Sequence, residues 1–134
     1  MEKIRMRLTA ALLATLVLGC AGQSGTTATD AVDDFIVVSE LEALDAVRFR
    51  DQFNYRVITD EYVVLTSRKD YYLARFQRRC RELNENAIVP DIRFDRNMLR
   101  AGIDTIRGCR IDRLFAIDEV QAQELEILGK GPGA

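Results

Sequence analysis

The chain has 134 residues, with 19 basic and 21 acidic side chains, three cysteines, and neither histidine nor tryptophan. A net charge of −2 argues against a general nucleic-acid binder, which should be basic. The lack of histidine removes the usual base of nucleophile-base-acid catalysis, and the length fits one domain with a modest core.

Lys3, Arg5 and Arg7 make a cationic start, and Leu8 to Leu18 is an apolar and small-residue run that Val17-Leu18-Gly19-Cys20 closes. Those 11 residues are too few to cross a bilayer as a helix, which takes about twenty. Residues 1–19 therefore read as a cleaved signal peptide. The closing residues resemble the bacterial lipobox, in which an aliphatic, a variable and a small residue precede a cysteine. That resemblance implies a lipoprotein whose Cys20 carries a diacylglycerol on sulfur and a further acyl chain, such as palmitate, on its new amine. One acyl chain anchors only marginally, at about 0.8 kcal/mol per buried methylene, so several are needed for a stable membrane anchor. The alternative is an ordinary signal cut at Gly19-Cys20-Ala21, which would give a soluble periplasmic protein. Ala21, with no aspartate in its place, points by analogy with Gram-negative sorting to the outer membrane, facing the periplasm. Without residues 1–19 the chain keeps 16 basic and 20 acidic side chains, because Lys3, Arg5, Arg7 and Glu2 leave with the signal.

Residues 20–32, rich in Gly, Ser and Thr, read as a lipidated flexible tether. A single globular domain is expected over 33–129. It opens with the apolar run Phe35-Ile36-Val37-Val38 as a short strand, and Ser39-Glu40-Leu41-Glu42 then has capping-box form, predicting a short helix from Glu40 to Ala46. Tyr55 to Thr59, Tyr62 to Thr66 and Tyr71 to Phe76 are rich in β-branched and aromatic residues. Separated by turns, they predict an antiparallel meander. Ile103 to Arg107 and Arg110 to Ile117 read as two further short strands around Gly108-Cys109. Asp118, with Gln121 three residues on, caps a last helix that Gly129 ends, and 130–134 reads as a disordered tail.

With Cys20 assigned to lipid, Cys80 and Cys109 are an even pair in a chain bound for an oxidising compartment, and a disulfide bond should join them. Two free thiols or a soft metal site are the alternatives. Two cysteines without histidine fall short of the usual four zinc ligands, so no metal is called for. Gly102 and Gly108 are isolated, so there is no phosphate-cradling loop and no cofactor is expected.

Glu40-Leu41-Glu42 through Asp45, the Tyr62 to Phe76 hairpin, Cys80-Arg81-Glu82-Leu83 and Arg107-Gly108-Cys109-Arg110-Ile111 together resemble an uncharacterised family of small exported bacterial proteins, known only as a domain of unknown function. The resemblance covers roughly Asp33 to Ile117 and implies a disulfide-bearing exported β domain. It implies no activity.

One constellation carries possible chemistry. Arg78, Arg79 and Arg81 flank Cys80, and Arg107 and Arg110 flank Cys109, so a bridge would gather five guanidinium groups. Such a cluster suits phosphate or carboxylate groups and makes these arginines candidate anion-binding residues for an envelope component: a lipid headgroup, lipid A or peptidoglycan. The competing reading pairs them with Glu82, Glu85, Asp112, Glu119, Glu124 and Glu126 on a solvated surface. Asp91 with Asp95, or Asp112 with Asp118, are the carboxylate pairs open to catalysis, and neither has a glycosidase-like or metal-loop spacing.

The expected architecture is α+β: a small antiparallel twisted sheet or partial barrel of about five strands with a C-terminal helix. The expected role is a cell-envelope lipoprotein acting as a binding or structural module, without catalysis. The alternative is a small periplasmic hydrolase or transferase using carboxylate or tyrosine side chains.

Overall fold

The computed structural model describes residues 27–83, 92–93 and 97–131. Its centre is an antiparallel hairpin, β4 (Tyr62–Ser67) and β5 (Asp70–Phe76), with β3 (Asn54–Val57) on the outer edge of β4. The other edge of β5 pairs with β9 (Cys109–Ile117), the longest strand. The far edge of β9 takes β1 (Ala43–Leu44) opposite Leu114 and Phe115, and β8 (Thr105–Ile106) opposite Cys109 and Arg110. With β6 (Ile92–Arg93) on β8, this makes a seven-stranded open sheet, and β2 (Ala46–Arg48) and β7 (Met98–Arg100) form a separate ribbon. The α+β expectation holds, with more and shorter strands than five.

Both faces of the sheet are covered, which is why β4 is apolar without alternation. Tyr62 and Val64 pack with Leu73, Phe115 and the helix residues Val32, Phe35, Ala122 and Leu125. Val63 and Leu65 face the other way, onto Phe49, Phe53, Leu99 and both cysteines. A continuous apolar run is the sequence mark of a strand buried on two sides. In β9 the two faces are kept in register by a bulge. Arg75 pairs with Arg113 and Phe76 with Ile111, so Asp112 is the extra residue. Ile111 and Leu114, three apart, thereby reach the same core face.

Two helices lie on one face: α1 (Ala28–Val38) and α2 (Glu119–Gly129). The reading of α2 holds, including its capping box, in which the Asp118 side chain accepts from the Gln121 amide and the Gln121 side chain accepts from the Asp118 amide. Gly129 has a second role: a Cβ there would meet the Ile58 carbonyl oxygen at 2.5 Å, so the close approach of α2 to the connection between β3 and β4 requires glycine.

The reading of α1 is corrected. Phe35 to Val38 is the last turn of a helix rather than a strand, and that helix starts at Ala28, inside the stretch read as tether. Thr27 caps it in a box with Asp30, an aspartate where the usual pattern has glutamate or glutamine. Ala28, Ala31, Val32, Phe35 and Ile36 recur at helical spacing and form the buried side, while Val37 and Val38 are 75% and 81% exposed. Those two exposed valines made the run look continuous. Ser39-Glu40-Leu41-Glu42 likewise ends a helix and does not begin one. The Leu41 amide donates to the Ile36 carbonyl and the Glu40 amide to the Val37 carbonyl, with Glu40 at φ 50°, which is a Schellman stop. The chain then enters β1 and β2 where a helix was expected.

Candidate functional site: the disulfide corner

At the end of β5 the chain turns through Gln77 to Arg79 and buries Cys80, whose amide donates to the Asp60 carbonyl. Cys109 opens β9 directly after a two-residue turn, Arg107-Gly108, in which both residues have positive φ (53° and 79°) as a type I′ hairpin demands. The two cysteines are joined, with Cα atoms 5.8 Å apart, and both are fully buried against Phe76, Ile106 and Ile111. The bridge thus ties the central hairpin to the longest strand.

Glu82 sits on this bridge. One carboxylate oxygen lies 3.3 Å from Cys109 Sγ, and because a disulfide sulfur carries no proton this is a packing contact. Cys80, Glu82 and Cys109 place three ligand-type atoms within 4.8 Å of one another. The disulfide uses up both thiolates that a soft metal would need, so the residues as joined do not fit a metal.

The five arginines divide. Arg78 forks onto Glu82 at 2.7 and 3.3 Å, which holds the Glu82 carboxyl below its ordinary range through that hydrogen bond and raises the Arg78 guanidinium in return. Arg79 lies 3.5 Å from Glu61 and 3.8 Å from Asp60. The half-buried Arg107 donates to the Glu82 carbonyl at 3.4 Å. Arg81, in a turn of 3-10 helix (Arg81–Leu83), and Arg110 on β9 are exposed and have no acidic partner within 4 Å among the described residues. The competing ion-pair reading is therefore met at Arg78. Asp60 and Glu61, partners that sequence distance concealed, come to Arg79 through the turn before β4. Glu126 pairs with Arg56 and Asp112 with Arg113, while Glu85 lies outside the described residues.

Other sequence candidates are dispersed. Cys20, Asp91 and Asp95 lie outside the described residues. Asp118 is engaged as the α2 cap, and Asp112 is separated from it by the length of an extended strand, about 20 Å. Tyr62, which the sequence places only at the start of a strand, donates its hydroxyl to Asp33 of α1, with the Arg75 guanidinium over its ring, 5.9 Å from the centre. Burial first and the Asp33 carboxylate second raise this phenol far above its usual range, so it remains a donor. It joins the first helix to the sheet.

Among the described residues no helix is long and apolar enough to cross a membrane. The model of DUF6491, a family of unknown function, matches residues 3–129, a span that includes the apolar run Leu8 to Leu18 as well as the described sheet and helices. No curated protein matches, and no solved structure matches.

Proposed function

For this chain, which belongs to the DUF6491 family of unknown function, we propose the role of an exported, lipid-anchored envelope module that binds or supports an anionic envelope component and catalyses nothing. The observation that carries this reading is the buried Cys80–Cys109 bridge, because such a bond forms and persists in an oxidising compartment. Two further facts support it. The family match begins at residue 3, so the cationic, apolar leader ending at Cys20 lies inside the matched region. At the bridge, Arg81 and Arg110 are left exposed as donors for phosphate or carboxylate groups, beside the guanidinium groups that Glu82, Glu61 and Asp60 already hold. The outer membrane, facing the periplasm, is the proposed location, and a soluble periplasmic form is the competing outcome.

The test is fractionation of cells expressing the full chain and its Cys20→Ser variant, with intact mass of each. The natural chain should start at Cys20, carry acyl mass and sediment with membranes, and the variant should lose all three properties. A natural chain that keeps Met1 and stays in the cytosol would refute the reading. A soluble chain cut near Gly19 without acyl mass would establish export and remove the anchor.

A further inference from the structure

A second basic surface lies at the opposite end of β5 from the disulfide, and neither the leader nor the cysteines point to it. The β4–β5 hairpin turns through Arg68-Lys69 between the paired residues Ser67 and Asp70. Against this tip stands the ribbon segment Arg48-Phe49-Arg50. Phe49 is buried, edge-on to Tyr72 at 5.5 Å and stacked on Phe53 at 4.7 Å, and its amide donates to the Asn97 carbonyl. Arg48, the last residue of β2, and Arg50 are both exposed, one on each side of the buried Phe49.

Three open hollows meet here. One is lined by Arg48, Phe49, Arg50 and Asn97, a second by Arg50, Arg68 and Lys69, and a third, more acidic, by Lys69, Tyr71, Tyr72 and Ile117 with Asp118 and Glu119; all three share Asp70. The first two have Arg50 and Asp70 in common and the last two Lys69 and Asp70, so they adjoin as a groove around the hairpin tip. It gathers Arg48, Arg50, Arg68 and Lys69 in a chain whose net charge is −2. Arg68 is tied to Asp51, but among the described residues Arg48, Arg50 and Lys69 have no acidic partner within 4 Å. Arg68 also holds a left-handed conformation, φ 56°, at a turn position where glycine would cost less strain.

We propose that this groove binds a phosphorylated polyol. Arg50 and Lys69, with Arg48, supply the donors for the phosphate, guanidinium forks being matched to its oxygens. Asp70 would repel a bare anion, yet as an acceptor in the middle of the cations it suits a ligand that brings hydroxyl hydrogens beside its phosphate. The rims of Phe49 and Tyr72 give the carbon skeleton an apolar floor. Free glycerol 3-phosphate and the headgroup of phosphatidylglycerol both present this chemistry.

The experiment uses the full chain in nonionic micelles and follows backbone amides by nuclear magnetic resonance. One arm adds glycerol 3-phosphate, with inorganic phosphate and glycerol as separate controls; the other dopes the micelles with phosphatidylglycerol. Saturable shifts at Arg50, Lys69 and Asp70 with glycerol 3-phosphate would support the site with a soluble ligand, and the same shifts only in doped micelles would support it with a lipid headgroup. Arg50→Ala with Lys69→Ala should weaken the responding arm by about tenfold or more, the scale of losing charge-assisted hydrogen bonds. Arg113→Ala with Lys130→Ala, exposed cations that line none of the three hollows, should leave it unchanged. No saturable shift in either arm, equal binding by the groove variant, or equal response to inorganic phosphate and glycerol 3-phosphate would overturn the proposal. Membrane fractionation of Cys20→Ser is independent of all these outcomes.

Discussion

Opening the Cys80–Cys109 bridge should remove a large share of this domain's stability. The bond spans a sequence separation of 29 residues. On the chain-entropy model, closing a loop of that size stabilises the fold by about 3.6 kcal/mol. Total stability for a domain of this kind is about 5–15 kcal/mol. At the entropy of unfolding usual for about 100 residues, the loss corresponds to a melting temperature lower by about 15–20 °C. Cys80→Ala with Cys109→Ala should cost somewhat more, because both side chains are fully buried beside Phe76, Ile106 and Ile111 and alanine leaves space there. The assay is guanidinium and thermal unfolding of three species: oxidised, reduced, and the double variant. The reduced and variant proteins should also give a larger dependence on denaturant, since an unfolded chain without its cross-link exposes more surface. A reduced protein within about 1 kcal/mol of the oxidised one would refute the reasoning, because the bond would then restrict an unfolded ensemble already held together near these residues.

Two further outcomes follow from the helices and the corner. Gly129→Ala sets helix propensity, which favours alanine by about 1 kcal/mol, against a Cβ placed 2.5 Å from the main-chain oxygen of Ile58. That oxygen cannot rotate away, so urea unfolding should show a net loss of about 1–3 kcal/mol, and any gain would refute the close approach. Asp30 and Glu82 both have carboxyls held below their ordinary values, Asp30 by its hydrogen bonds from Thr27 and Glu82 chiefly by its hydrogen bond from Arg78. Groups depressed in the folded state contribute stability that is present above their unfolded values, near 3.8 and 4.5, and is lost as pH falls through the folded ones. Stability should therefore decline below about pH 4.5, and Arg78→Ala should flatten the Glu82 part of that decline. An unchanged acid limb in Arg78→Ala would show that the pair is open in solution.

Pattern was enough where one element supplied its own evidence. The meander and α2 are legible because their periodicity, turns and capping residues are local, and Cys80 with Cys109 because the pattern around Cys20 sets that cysteine apart from the other two. α1 escapes the pattern although its evidence is also local. Its cap uses Asp30 where glutamate is usual, and Val37 and Val38, exposed at its last turn, extend the apolar run past the helical stripe. Glu40 compounds the error, since a Schellman stop without glycine has no mark in the residues.

The sequence by itself determined the cationic and apolar pattern that closes at Cys20, the central strands and the last helix. Only the tertiary structure decided which charges are spent and which are free. Arg79 meets Glu61 across 18 positions, Arg56 meets Glu126 across 70, and Tyr62 meets Asp33 across 29. Register and packing set those meetings, and no local period encodes them. The same cause hid the hairpin groove: Arg48 and Arg50 reach Lys69 and Asp70 only because Phe49 docks the ribbon against Tyr72.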